Sequence, residues 1–275
     1  MKRIDYLVVG HVCRDLVTDG SSTVGGTVSY SGLLAHSLGY ETAVLTSTAP
    51  DYDMNEALPG LNVHNVLAEH STTFSNIYTN EGRTQIIHCV ANHLGSENVP
   101  EDWFNPRILH LGPLVNRVDP YMADSFPNSI IGMTPQGWMR RWQEDGRVYA
   151  KHWDLAEVIL PKATAVIISQ EDLLDDEMLV QFRKWSKLLV MTRGWGGCTI
   201  FQGDDMCHIP APEVEEIEPT GAGDIFATAF LLQYLEADGD ACEAGRFANH
   251  VASQSVTQIG LDAKLAKIKD SLEES

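Results

Sequence analysis

The sequence has few basic residues and no long apolar run. It contains 38 Asp and Glu residues but only 19 Lys and Arg residues among 275, so its formal net charge is -19 at pH 7. This charge repels phosphate backbones and anionic lipid surfaces, which argues against nucleic-acid or membrane partners. The apolar runs are shorter than the about 18 residues of a membrane span, and the start, MKRIDYLVVG, is too short for a signal-peptide core. We therefore expect a cytoplasmic protein with a small-molecule partner.

Several site motifs are also absent. The five cysteines are scattered and never form a C-x-x-C pair, which argues against a disulfide framework or a zinc site. The ten histidines never form H-E-x-x-H. There is no G-x-x-x-x-G-K-[ST], and the glycines near position 221 miss G-x-G-x-x-G because Phe226 occupies the last position. Any phosphate cradle must be of another type.

Short apolar runs and helical patterns alternate along the chain. The runs predict buried strands at 4–10, 43–46, 108–112, 129–133, 165–169 and 188–192. Helical patterns occupy 29–38, 120–125, 175–185, 222–236, 241–256 and 261–272. This alternation predicts right-handed βαβ units and a parallel sheet. The segment 72–91, with polar and β-branched residues around Asn80-Glu81-Gly82, instead predicts an exposed hairpin that could cover a site.

The stretch EPTGAGDIFATAFL, residues 218–231, places a carboxylate behind two glycines at the start of a helical pattern. The backbone N–H groups of Gly221, Ala222 and Gly223 would be unpaired donors of a helix N-terminus, which attracts anions. Asp224 could then accept a proton from a hydroxyl that attacks a phosphorus atom held there. The alternative is that Asp224 only stabilises the helix dipole, by about 0.3–1 kcal/mol, behind an ordinary glycine turn.

Several stretches, in order and over nearly the whole chain, resemble signatures of the ribokinase-like (PfkB) carbohydrate kinases. They are GHVCRD at 10–15, the glycine pair at 25–26, SQED at 169–172, TRGWGG at 192–197, TGAGD at 220–224 and FANHVAS at 247–253. Inositol kinase-like members are the most similar in appearance, because they share a G-x-x-C-x-D start, a P-T-G-A-G-D ending and a Q-x-x-x-R stretch. Here the last of these is Gln136 to Arg140.

The resemblance implies a three-layer α/β/α ribokinase-like fold with a central, mostly parallel sheet and a short β lid. It implies one kinase domain, residues 1–275, with lid segments at roughly 14–25 and 70–93. The implied activity is ATP-dependent phosphorylation of a hydroxyl on a small sugar, an inositol-like polyol or a nucleoside. ATP and Mg²⁺ are the implied cofactors, a monovalent cation is allowed, and the protein would be a monomer or a homodimer.

The resemblance also assigns roles to individual residues. Asp224 would be the general base beside the anion hole of Gly221, Ala222 and Gly223. The acceptor would be bound by Asp15, Gly25, Gly26 and Arg140. The nucleotide would be bound by Thr192, Gly194, Gly197, Thr220 and Asn249. Asp172 would hold Mg²⁺ through water.

Most of these segments also have a simpler interpretation. TRGWGG could be a plain glycine-rich hairpin, SQED an acidic helix start, Arg140 part of a solvated turn and Asn249 a helix-surface residue. A rival function is a silent family member that senses sugars or nucleotides, because Cys13, Tyr30 and Asp172 depart from the common pattern. A dinucleotide-dependent oxidoreductase is a further rival, but the first strand runs into GHVCRD and not into a glycine fingerprint.

Overall fold

A computed structural model describes residues 3–16, 22–79 and 82–274. The β-strands are β1 Tyr6–Val9, β2 Cys13–Leu16, β3 Ser22–Gly25, β4 Thr42–Thr48, β5 Asn62–Leu67, β6 Thr72–Thr79, β7 Gly82–Cys89, β8 Ile108–Leu111, β9 Ile130–Met133, β10 Arg140–Trp142, β11 Val148–Ala150, β12 Ala165–Ser169, β13 Leu189–Thr192, β14 Cys198–Gln202 and β15 Asp205–Ile209. The α-helices are α1 Thr27–Ser37, α2 Met54–Ala57, α3 Ala156–Ile159, α4 Asp176–Trp185, α5 Ala222–Glu236, α6 Ala241–Ser255 and α7 Leu261–Glu273.

In the described ranges, the largest sheet has nine strands in the order β15-β14-β13-β12-β9-β8-β1-β4-β5. All neighbours from β5 to β13 are parallel, and β14 and β15 add an antiparallel edge. The six predicted core strands all lie in this sheet, which confirms its mostly parallel nature. The strands β5, β14 and β15 were not predicted. The edge strands β5 and β15 are largely exposed or half-buried, and β14 is buried from Cys198 to Phe201 but is interrupted by Thr199.

The sheet is buried on both faces because helices and loops cover each of them. Along β1, Tyr6 and Val8 pack into one core and Leu7 and Val9 into the other, as the alternation of side chains in a strand requires. Helices α1, α5, α6 and α7 cover the first face, while α3, α4 and several 3-10 helices cover the second. The layers are therefore helix, sheet, helix, and the predicted α/β/α fold is confirmed. The segment 120–125 is a 3-10 helix that begins at Pro120.

A second, smaller sheet lies beside the first in the order β3-β2-β6-β7. The predicted hairpin at 72–91 is confirmed as β6 paired antiparallel with β7, and its predicted turn, Asn80 and Glu81, lies outside the described residues. The strands β2 and β3 fall in the expected lid segment 14–25, of which residues 17–21 also lie outside the described residues. The role of this small sheet as a lid stays a prediction.

The segments singled out from the sequence gather at one edge of the large sheet. GHVCRD follows β1, Ser169 and Thr192 end β12 and β13, and Gln136 follows β9. The carboxyl ends of parallel strands share one edge, and ligands of open α/β sheets bind there. None of the helices described is long and apolar enough to cross a membrane.

Candidate active site

The helix α5 begins at an open N-terminus. Its N-cap, Gly221, has φ +79, and a Cβ there would lie 2.2 Å from Cδ1 of Tyr30, so both the backbone conformation and the neighbouring ring require glycine. A Cβ on Gly223 would meet no atom of the described chain within 4 Å. The Ala222 amide, predicted as part of the anion hole, instead donates to the carbonyl oxygen of Pro219 at 3.0 Å. The amides of Gly223 and Asp224 lie in the first turn, where N–H groups have no partner within the helix. This end of α5 can therefore receive an anion.

Asp224 is a desolvated carboxyl beside that helix end. Burial raises its pKa from 3.8 to about 6, whereas a hydrogen bond with the Thr27 side chain and the charge of Arg140 lower it, and the Asp172 carboxylate raises it further. An acid that only stabilised a helix dipole would gain nothing from such burial, because the dipole favours its charged form. A carboxyl that titrates near 6 is ionised at neutral pH and can still accept a proton during a reaction.

Asp15 and the glycine pair form a second part of the site. The Asp15 carboxylate accepts a hydrogen bond from Asn76 Nδ2 at 3.2 Å and a weak one from Cys13 Sγ at 3.9 Å. A Cβ on Gly25 would lie 2.1 Å from Asp15 Oδ2, and a Cβ on Gly26 would lie 2.3 Å from the carbonyl oxygen of His11. Close contacts therefore require glycine at both positions, and Gly25 lies directly against the Asp15 carboxylate.

Arg140 connects these groups electrostatically. Its positive charge lowers the pKa of Asp224 and also that of Cys13, which burial and the nearby carboxylates of Asp15 and Asp224 raise. Arg140 is half-buried, Arg141 beside it is exposed, and Arg140 Nη1 lies 3.5 Å from the carbonyl oxygen of Leu114. The Arg140 guanidinium therefore faces the same site as the two carboxylates, whereas only Arg141 matches a solvated turn.

A cavity of about 250 Å³ lies next to Arg140 and is also lined by Gln136, Glu171 and Asp172. The Asp172 carboxylate accepts hydrogen bonds from Gln136 Nε2 and from the Ser169 amide, each at 2.9 Å. It therefore caps the short 3-10 helix Gln170–Asp172, as the acidic helix-start interpretation predicts. The described ranges contain no cluster of three metal-ligating side chains. The carboxylates of Glu171 and Asp172 fit a Mg²⁺ ion that takes its other ligands from water and phosphate oxygens.

The TRGWGG segment forms the connection between β13 and β14, so the hairpin interpretation is correct for its backbone. Thr192 Oγ1 donates to the carbonyl oxygen of Ile168 at 3.3 Å. Gly194 and Gly197 have φ +55 and +80, and a Cβ on Gly197 would lie 2.1 Å from the carbonyl oxygen of Ile209. The indole of Trp195, between these glycines, is 93% exposed.

Asn249 and Thr220 occupy different environments. Asn249 is buried, and its Nδ2 donates to the carbonyl oxygens of Ile209 and Pro210 at 2.9 and 3.3 Å. The helix-surface interpretation of Asn249 is therefore wrong, and this amide nitrogen holds the end of β15. Thr220 is exposed and lies directly before the N-cap of α5.

Three polar residues of this site were missed from the sequence, namely Thr27, Asn76 and Gln85. Asn76 and Gln85 are cross-strand partners in the β6–β7 hairpin, where Gln85 Nε2 donates to Asn76 Oδ1 at 3.1 Å. With the Asn76 bond to Asp15, they extend a polar chain from the small sheet to the site. The signal in the sequence was the pair of amide side chains in the hairpin, but their register was needed to join them.

Both the sequence and the fold of the chain have relatives among known proteins. Residues 148–268 match the profile of the pfkB family carbohydrate kinases. The chain is 23% identical over 261 residues to the cytidine kinase of Thermococcus kodakarensis, covering 84% of this chain and 88% of that protein.

Solved structures with a similar fold include a pyrophosphate-dependent kinase of the ribokinase family, complexed with a pyrophosphate analog and myo-inositol. It has a TM-score of 0.76 at 19% identity, over 91% of this chain and 94% of the other. A ribokinase of Arabidopsis thaliana complexed with ribose and ATP has a TM-score of 0.70 at 17% identity, over 98% of this chain and 99% of the other. The chain therefore has the ribokinase-like fold, and its C-terminal part, in which TGAGD begins α5, is similar to the pfkB family of carbohydrate kinases.

Proposed function

We propose that the chain transfers a phosphoryl group to a hydroxyl of a small polyol, sugar or nucleoside, with Asp224 as general base. The observation that carries this proposal is the half-buried Asp224 carboxyl, with a pKa of about 6, at the open N-terminus of α5. A base with a pKa close to the working pH is both largely ionised and able to take a proton in the transition state. The helix end supplies the complementary site for phosphate oxygens.

The transfer is a single in-line displacement. The acceptor oxygen forms a bond to the terminal phosphorus, and its proton passes to the Asp224 carboxylate. The bond between that phosphorus and the bridging oxygen breaks, and its electron pair stays on the leaving phosphate. The amides of Gly223 and Asp224, together with the Arg140 guanidinium, stabilise the charge that develops on the transferring group.

For the acceptor we favour an inositol-like polyol. Asp15, Asn76 and Gln85 form a chain of carboxylate and amide groups, which suits several neighbouring hydroxyls. A relative with the same fold is complexed with myo-inositol, which supports this choice. A nucleoside is the second candidate, because the cytidine kinase of Thermococcus kodakarensis aligns with 84% of the chain.

For the donor we favour ATP. The 93% exposed indole of Trp195 lies in the glycine-rich loop to which the family resemblance gives the nucleotide. Stacking of a base on an aromatic ring contributes about 1–3 kcal/mol, so this surface suits a nucleotide better than bare pyrophosphate. Asp172 and Glu171 would hold Mg²⁺, which when bound neutralises charge on the phosphates. Pyrophosphate is the rival donor, since a relative with the same fold depends on it.

The test is a survey of acceptors and donors. Release of ADP from ATP, or of phosphate from pyrophosphate, is measured with inositols, sugars and nucleosides. We expect turnover with at least one acceptor, and a loss of about 10²–10⁴-fold in Asp224→Asn. Binding of ATP and a polyol without turnover would favour the sensor function, and undiminished turnover of Asp224→Asn would overturn the assignment of the base.

A further inference from the structure

Lys264 is a buried lysine directly behind the anion-binding end of α5. Its side chain is 1% exposed, and its Nζ lies 2.7 Å from the carbonyl oxygen of Glu218 and 2.8 Å from that of Thr220. The carboxylate oxygen Oε2 of Glu218 is 3.3 Å from the same nitrogen. These three oxygens match the three donors of an ammonium group. A buried ammonium is unfavourable unless it is fully paired, and this one is.

The oxygens that Lys264 binds belong to the loop that leads into the helix. Glu218 and Thr220 flank Pro219, and the next residue, Gly221, is the N-cap of α5. The loop is also held from outside, since the Glu218 amide donates to the carbonyl oxygen of Val256 at 3.0 Å. The position of the Gly223 and Asp224 amides therefore depends on a loop whose inner side is bound by one ammonium group.

Two carbonyl oxygens and a carboxylate form a donor set of the kind that hard cations bind. Here the cation is a side chain of the protein itself. Its charge offsets the partial negative charge of the carbonyl groups, which point inward behind the phosphate site. Without it the carbonyl oxygens of Glu218 and Thr220 would lose this donor, whereas the Glu218 carboxylate would keep its hydrogen bond from the Gly260 amide at 2.9 Å.

We propose that Lys264 is a positioning residue for phosphoryl transfer, an ammonium built into the chain that shapes residues 218–220 in place of a free monovalent cation. This inference rests on the proposed kinase function and deepens it. Whereas the family resemblance allows a monovalent cation as cofactor, the arrangement around Lys264 makes an added one unnecessary. The wild-type enzyme should therefore turn over equally well in potassium and in tetramethylammonium chloride at the same ionic strength.

The decisive variant is Lys264→Met, which keeps an unbranched apolar side chain only one atom shorter and removes the ammonium. We expect turnover to fall about 10²-fold, the size of effect that a small misplacement of catalytic groups produces. Potassium or ammonium ions should restore much of this loss by filling the vacated oxygen cluster. Lys269→Met is the matched control, because Lys269 is exposed on the same helix α7, and its turnover and ion response should equal those of the wild type.

Thermal unfolding supplies a readout that does not depend on catalysis. Potassium and ammonium should raise the unfolding temperature of Lys264→Met by mass action and leave that of the wild type unchanged relative to tetramethylammonium. Lys264→Gln gives the same comparison if the methionine variant does not fold. If potassium or ammonium stabilises Lys264→Met but the wild type phosphorylates no acceptor, the kinase function is overturned and the role of Lys264 in binding the loop is kept.

Three results would overturn the role of Lys264 itself. The first is stimulation of the wild type by potassium, because the cluster would then be open to a free ion. The second is full turnover of Lys264→Met without any small cation. The third is a variant whose activity and stability are both lowered and respond to no cation, since Lys264 would then serve packing alone.

Discussion

The raised pKa of Asp224 predicts that this residue lowers the stability of the folded protein at the pH where it works. Its pKa is about 6 in the folded chain against an ordinary 3.8. A carboxyl whose pKa is raised by folding stabilises the protein fully below the ordinary value and loses that contribution as pH rises through the folded value. A difference of about 2 pKa units corresponds to at most about 3 kcal/mol, and the partial exposure of Asp224 reduces this figure.

Asp224→Asn removes the charge and keeps an oxygen that can accept from Thr27. The variant should therefore be more stable than the wild type near pH 8, by about 1–3 kcal/mol or several degrees in unfolding temperature. The two proteins should approach each other near pH 4, where most of the wild-type carboxyl is protonated. Thermal unfolding followed at both pH values measures this difference, and turnover of the same variant should be almost absent.

The matched control is Asp262→Asn, the same change in the first turn of α7. Asp262 is exposed, so its removal should cost about 0.3–1 kcal/mol of dipole stabilisation, the opposite sign. If Asp224→Asn is no more stable than the wild type near pH 8, the Asp224 carboxyl is well solvated. The reasoning that connects its burial to its basicity would then be refuted.

Further predictions concern the surroundings of Asp224. The kcat/KM of the wild type should fall below about pH 6 as Asp224 becomes protonated. Arg140→Met should move this acidic limb of the pH profile to higher pH, because the guanidinium lowers the pKa of Asp224. An unchanged pH profile would contradict the interaction between Arg140 and Asp224. Gly221→Ala should destabilise the fold by about 1–3 kcal/mol, because its φ is +79 and its Cβ would clash with the Tyr30 ring. Gly223→Ala should fold normally and lose turnover. Thermal unfolding and a turnover assay distinguish the two variants. Trp195→Ala should raise the KM for ATP about tenfold or more and leave that for pyrophosphate unchanged, and equal effects on both donors would refute base stacking.

The predicted core strands and C-terminal helices were found because their burial appears in the sequence as continuous or periodic apolar residues. The run from Ile225 to Leu232 is buried at every position, and β1 is buried on both faces. The pairs β2–β3 and β10–β11 carry no such pattern because their strands are short and half-exposed, so β2 and β3 were expected only through the lid segment that the resemblance implies, and β10 and β11 were missed. Their positions depend on the register with neighbouring strands.

The site divides in the same way. Asp224 and its glycines could be predicted because a helix N-terminus is a local feature, set by consecutive residues. Lys264 could not, since its ammonium reaches Glu218 and Thr220 from a helix more than forty residues further along the chain.

By itself the sequence determined the parallel α/β fold, the position of the helix end proposed to bind an anion and the order of the motifs, because these follow from local patterns of apolar residues and glycine. Only the tertiary structure decided which groups meet there. It desolvates Asp224 and so raises its pKa, brings Arg140 and Asp15 to the same site, and places an ammonium behind the loop. Desolvation and Coulomb interaction depend on distance in space, which the order of residues does not specify.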